Sequence, residues 1–331
     1  MIRLSLSGAL ALAAFLLAAP LLLAGSGAQA NPEYWKYEWP KTDFSQHSVD
    51  LGEIMSGGPP KDGIPSIDNP KFVPVSEMTE LAETEPVIGL AIGGAARAYP
   101  LRILTWHEIV NDTLGGVPVA VTYCPLCNAA IVFDRRVEGK AVEFGTTGKL
   151  RNSDLVMYDR DTESWWQQFQ GEAIVGARTG MRLKILPARL ESWARFKARH
   201  PEGEVQVPNA AGARDYGANP YVGYDGSRLP FLYRGAYPEG IAPMARVVAI
   251  GDEAWALDLL REKRRLEVRD LVLTWEPGQN SALDTRLISE GEDVGNVVVQ
   301  RQGASGLEDV AYDVTFAFVF HAFRPDGTLH K

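Results

Sequence analysis

The sequence predicts a strand-rich α+β fold, built as one integrated domain with a candidate internal duplication of a β-hairpin unit. Three observations carry this. Short β-branched and apolar runs recur along the chain, punctuated by Gly, Pro and Asn. The one clear helical pattern is Leu190 to Arg199 (LESWARFKAR), with Trp193 and Phe196 on one face and Pro201 beyond its end. Two cysteines in 331 residues cannot supply a disulfide framework, so the fold stands on its own core.

From the N-terminus, Met1-Ile2-Arg3 gives a positive start, residues 9–24 are almost unbroken Ala, Leu and Phe, and Ala28-Gln29-Ala30 is a small-x-small cleavage pattern. An apolar run of about 16 falls short of the roughly 20 residues a spanning helix needs. Residues 1–30 therefore read as a cleaved signal peptide, and the mature protein as periplasmic or secreted, with no stable membrane span. Residues 31–60 read as an N-terminal arm, and 61–331 as the strand-rich domain, with candidate halves 61–235 and 236–331. The chain is acidic, with Lys+Arg 33 against Asp+Glu 42 and a net charge of −9, which argues against nucleic acid as a partner.

Prolines 59, 60, 65, 70 and 74 exclude a helix or a central strand over residues 59–74. Val87–Ile92 and Ala96–Tyr99 flank Gly93-Gly94, a hairpin signal. Thr105 to Glu108 fits a capping box for a short helix that would run through Asn111 and end at Gly115-Gly116. Strands follow at 117–123, 130–133, 141–144 and 155–158, and residues 163–169 (ESWWQQF) fit either state. Residues 208–230 read as a long loop packed by its own tyrosines. Val247 to Leu257 (VVAIGDEAWAL) echoes Val87 to Tyr99 (VIGLAIGGAARAY), and 272–275, 297–300 and 311–320 read as further strands.

Cys124-Pro125-Leu126-Cys127 is the sharpest chemical feature. Its spacing suits a reversible redox pair, two ligands for one metal ion, or a structural disulfide. The following Asn-Ala-Ala-Ile-Val-Phe is too β-branched for the long helix of a thioredoxin-type motif, so the pair reads as a corner between two strands. No second C-x-x-C exists, which excludes a zinc ribbon; a metal would need His, Asp or Glu from elsewhere. His107, upstream on the short helix, is the candidate to join the cysteines as base, thiolate partner or ligand. Candidate binding or positioning residues are Asp134, Arg135, Asn152 and Ser153 at strand edges, where turn formers are common, and Trp166 and Gln168, which could wall a pocket. There is no P-loop, G-x-S-x-G elbow or H-E-x-x-H.

DGIPSIDN (62–69), RAYP (97–100), WHEIVND (106–112), GVPVAVTYCPLCN (116–128), FDR (133–135), NSD (152–154) and MYDR (157–160) occur in one order. The chain resembles the bacterial and archaeal family catalogued as domain of unknown function 3179, over roughly residues 60–325. The resemblance implies that some relatives carry selenocysteine in the motif matching Cys124 and Cys127, which favours redox chemistry over a passive disulfide. It also implies glycine in many relatives where this chain has Asn128.

The leading expectation is an exported thiol/disulfide-type redox protein in which Cys124 and Cys127 are the reversible pair, Cys124 attacking, and His107 tunes it. It would need no cofactor, and its partner would be a small molecule or an exported protein thiol. The alternatives are a metal-binding protein holding copper or zinc through Cys124, Cys127 and His107, and a non-catalytic binding module with a structural disulfide.

Overall fold

Residues 32–331 are described in this computed structural model. The expected signal peptide, residues 1–30, lies outside them. Strand makes up 40% and helix 14%, so the strand-rich α+β expectation holds, and the five larger sheets are arranged like the blades of a five-bladed propeller. Radial repetition of short sheets leaves few exposed edges.

Two of these sheets share one topology. In the first, Arg189–Ser192, Pro86–Ile92, Ala95–Pro100 and Glu204–Val207 lie side by side, with Lys71–Pro74 added at the outer edge. In the second, Asp313–Phe316, Arg246–Ile250, Glu253–Ala256 and Thr328–His330 take the same places. The first two pairings are antiparallel and the third parallel in both. Gly93 and Gly94, with φ of 59° and 86°, supply the left-handed turn that the first central hairpin requires.

Each central hairpin runs into a seven-residue helix, Leu101–His107 or Leu257–Lys263. Each helix is stopped by a non-glycine residue at positive φ, Glu108 (59°) or Arg264 (63°). A second pair of sheets then repeats. Ile109–Leu114, Val117–Cys124, Ala129–Asp134 and Lys184–Leu186 correspond in order to Arg265–Val268, Leu271–Glu276, Asn296–Gly303 and Gly306–Asp309. Ile109 faces Thr122 and Arg265 faces Thr274, which puts Cys124 and Glu276 at equivalent strand ends, each followed by a proline. Beyond that proline the repeats part: the first closes through the turn at 125–128, the second through a long connection over 277–295.

Four of the five strands of the fifth sheet are inserted into the first repeat, between Ala129–Asp134 and Lys184–Leu186. This sheet comprises Ile54–Ser56, Phe144–Arg151, Asp154–Asp159, Trp165–Gln167 and Glu172–Val175. Residues 35–56 of the expected N-terminal arm pack onto this sheet. Ile54–Ser56 is its edge strand, and Trp35, Trp39 and Phe44 bury their rings against Trp165 with centroids 5.0–5.3 Å apart. The main core joins both repeats, with Val121, Tyr123, Phe133, Val314, Phe316 and Phe318 among its members.

Three local readings are corrected. The helix starts at Leu101, not at Thr105, and the capping box does not form: Glu108 is the residue after the last turn, and Thr105 is buried inside the helix. Burial of Leu101, Ile103 and Leu104 sets the start, and the β-branched run Ile109–Leu114 then pairs with Val117–Cys124 instead of continuing the helix. Leu190 to Ser192 belongs to a strand, and the helix covers only Trp193–Arg199. The last apolar run likewise splits into strand Asp313–Phe316 and helix Ala317–Phe323.

Candidate functional site

Val117–Cys124 alternates its side chains across a sheet buried on both faces, so the chain reaches Cys124 with its thiol inside. Pro125 then starts a tight turn, in which the Cys127 N–H donates to the Cys124 carbonyl at 3.2 Å and the Asn128 N–H to that of Pro125 at 3.2 Å. Asn128 sits at φ 51°, in the left-handed region where glycine is the default and asparagine the best-tolerated alternative. Its amide donates to Val314 O and accepts the Tyr123 hydroxyl, both at 3.3 Å. The second repeat also grips the corner through the Cys127 carbonyl, which accepts the Thr315 hydroxyl at 2.7 Å and the Phe316 N–H at 3.3 Å.

The inserted sheet brings the third group. Asn152 and Ser153, at φ 52° and 66°, fold Phe144–Arg151 back onto Asp154–Asp159 in a hairpin that places Asp154 at the thiols. One carboxylate oxygen of Asp154 and the two sulfurs all lie within 4.8 Å of one another, fully enclosed. Asp154 Oδ2 accepts Gln167 Nε2 at 2.6 Å and the Phe169 N–H at 2.9 Å, whereas Oδ1 accepts no such bond from a nitrogen or hydroxyl among the described residues. Burial pushes the Asp154 carboxyl up to about 6. Burial also raises both thiols. For Cys124 a hydrogen bond from Cys127 opposes the rise, while for Cys127 the Cys124 sulfur adds to it.

The family model described as protein of unknown function (DUF3179) matches residues 61–327, which contain all of this site. The chain belongs to that family. No curated protein and no solved structure matches it. Among the described residues of this DUF3179 chain, no helix is long and apolar enough to cross a membrane.

A cleft of about 420 Å³ lies against the DUF3179 corner. Leu126, between the cysteines, and Leu155, next to Asp154, line it, with Tyr221, Tyr224 and Phe231 on the facing loop. Tyr224 OH donates to Leu126 O at 3.0 Å, and Ser153 OH to Phe231 O at 2.5 Å, so that loop is fastened to both sides of the site. Glu108 also lines the cleft, and burial followed by the Asp154 charge raises its carboxyl to about 8.

Of the residues expected from sequence, Cys124 and Cys127 come together and Ser153 joins them through its carbonyl, which the Cys124 thiol faces at 3.8 Å. Asn152 makes the turn that delivers Asp154. Gln168 donates to Thr122 Oγ1 at 2.8 Å and to Ala129 O at 3.2 Å, bracing the cysteine sheet. Trp166 lies further along the inserted sheet, its N–H on Asp159 at 2.9 Å. Asp134 pairs with Arg136, and Arg135 ties the Asp112 and Val142 carbonyls; none of these contacts a thiol. Both ring nitrogens of His107 are engaged elsewhere, Nδ1 with Pro65 O at 2.7 Å and Nε2 with Tyr216 OH at 2.8 Å.

The sequence places Asp154 only in the strand-edge group Arg151-Asn152-Ser153-Asp154 and Glu108 only as a helix cap, and neither is among the candidate site residues. An acid opening the apolar run Leu155–Tyr158 is the signal for Asp154, because unpaired carboxylates are seldom placed on buried strands.

Proposed function

We propose that this chain is an exported thiol redox protein whose Cys124–Cys127 pair cycles between dithiol and disulfide. The observation that carries the reading is the buried Asp154 carboxyl, one oxygen of which lies within 4.8 Å of two free thiols. Moving a proton from Cys124 to Asp154 converts thiol plus carboxylate into thiolate plus carboxylic acid. One negative charge is present before and after, so no second charge is created in a low-dielectric interior. The Cys124 thiolate attacks a substrate disulfide, forming a mixed disulfide and releasing one substrate thiolate. Cys127 then attacks Cys124, the second substrate thiolate leaves, and the two thiol protons pass to the two products. The substrate gains two electrons, and the cleft beside Leu126 is its approach. In this reading Asp154 takes the proton-handling role expected of His107.

The test is a titration in glutathione and dithiothreitol buffers, read by alkylation and mass, with zinc and copper analysis on the same sample. A reversible two-electron couple above the structural range of about −300 mV is expected. A couple below that value, or a pair that never oxidises, would overturn the reading.

The same convergence favours a second reading, in which Cys124, Cys127 and Asp154 supply two sulfurs and an oxygen to zinc or copper. Stoichiometric metal that blocks oxidation of the pair would select it.

A further inference from the structure

Both thiols are sealed: Cys124 is 2% exposed and Cys127 0%, so no substrate sulfur reaches either as the molecule stands. The loop facing the cysteine corner meets the site at residues 228–232, and its anchors lie on either side of them. Asp225 is held by Arg246 and Ser281. Tyr233 is 9% exposed, with its ring 5.1 Å from that of Phe318. Between these anchors, residues 228–232 hydrogen-bond to other described residues only through the Phe231 backbone.

The Phe231 carbonyl accepts the Ser153 hydroxyl at 2.5 Å, and the Phe231 N–H donates to the Tyr224 hydroxyl at 3.3 Å. Both clasps lead straight to the sulfurs. The Ser153 carbonyl faces the Cys124 thiol at 3.8 Å, and Tyr224 OH donates to the carbonyl of Leu126, between the two cysteines. The side chains of Leu229 and Phe231 add little hold, because they stay 53% and 52% exposed. Leu232 opposes closure, with φ 50° in the left-handed region, where a leucine is strained. Segments held by so few contacts open locally without unfolding the domain.

We propose that residues 228–232 are a lid over the thiol pair, latched at the Phe231 backbone by Ser153 on one side and Tyr224 on the other. Opening breaks both latches, relaxes Leu232 and widens the cleft beside Leu126 and Leu155 for a substrate. The gating role rests on the redox reading above, whereas the latch is measured without any redox step.

The experiment is iodoacetamide labelling of the reduced full chain at pH 8, read by mass, from zero urea to concentrations well below the unfolding transition. In the parent, Cys124 labels slowly and at a rate that is flat across this range, because a local opening exposes little new surface. Tyr224→Phe and Ser153→Gly each remove one latch and raise that rate about fivefold. Glycine suits the φ of 66° at Ser153, so the turn that delivers Asp154 is kept. Urea midpoints of the same variants verify that each is folded. Parent labelling that climbs with urea from the start would mean that only global unfolding reaches the thiols, and would overturn the lid. Acceleration in one variant alone would overturn it too, by placing the effect in that residue's own turn, as would acceleration in neither. Labelling involves no oxidation of the pair, so failure of the lid leaves the redox couple standing, and failure of the couple leaves the lid.

Discussion

The carbonyl oxygen of Cys127 accepts the hydroxyl of Thr315 across 188 residues of chain, at 2.7 Å. The turn that sets the spacing of the two sulfurs is therefore held by the second repeat as well as by its own backbone. Thr315→Val keeps the side-chain shape and removes the donor, leaving the longer bond from Phe316 N–H. The expected cost is about 1 kcal/mol in urea unfolding, with faster iodoacetamide labelling of Cys127. Unchanged labelling in a destabilised variant would show that Thr315 does not restrain the corner.

Asp154→Asn keeps an acceptor for Gln167 and Phe169 and removes the charge beside the thiols. At pH 8 the native carboxyl, with its pKa of about 6, is ionised and opposes formation of the thiolate at both cysteines. The variant should therefore label several-fold faster at Cys124 at pH 8 than the parent, on the order of one pKa unit or less. Slower labelling would show that the carboxylate does not oppose the thiolate.

Glu108 makes stability depend on pH with a definite sign. Its carboxyl is raised from 4.5 to about 8 in the folded protein. Between those values the folded state holds a proton that the unfolded chain has released. Stability contributed by this group is therefore complete below about pH 4.5 and falls as pH rises towards 8, by at most about 1.4 kcal/mol per unit. Glu108→Gln should flatten this slope, matching the parent near pH 4 and exceeding it at pH 8. Urea midpoints at pH 4, 6 and 8 check it, and parallel curves for the two proteins would refute the assignment.

Trp39→Ala tests whether the N-terminal segment belongs to the fold. Trp39 is 0% exposed, with its ring 4.8 Å from Tyr158 and 5.3 Å from Trp165. Loss of so large a buried ring should cost about 3–5 kcal/mol. A change under about 1 kcal/mol would mean that the segment packs without stabilising the domain.

The sequence was legible where the deciding interactions are local. Gly93-Gly94 announces its hairpin because turn chemistry needs only the residues in the turn, and the strands around Val121, Ile131 and Val298 announce themselves by β-branched content. The switches at Pro100/Leu101, Ser192/Trp193 and Phe316/Ala317 were hidden, because each joins a short strand to a seven-residue helix. Two helical turns carry too few apolar positions to define a period, and both sides of each switch are buried. At the site, the two cysteines could be read from their spacing. Asp154 arrives from an inserted sheet, and the partners of His107 lie 42 and 109 residues away, so neither relationship has a local trace.

The equivalence of Cys124 and Glu276 has a consequence for how freely this corner can change. At one and the same place in two matching sheets, the chain connects neighbouring strands either by the turn at 125–128 or by the long excursion over 277–295. The scaffold itself thus accepts either connection, and tolerates a strand end without sulfur. Nothing in the architecture obliges the first repeat to bend so sharply; the sharp bend is what brings a second sulfur back to the first. Sulfur proximity is therefore separable from the framework that carries it.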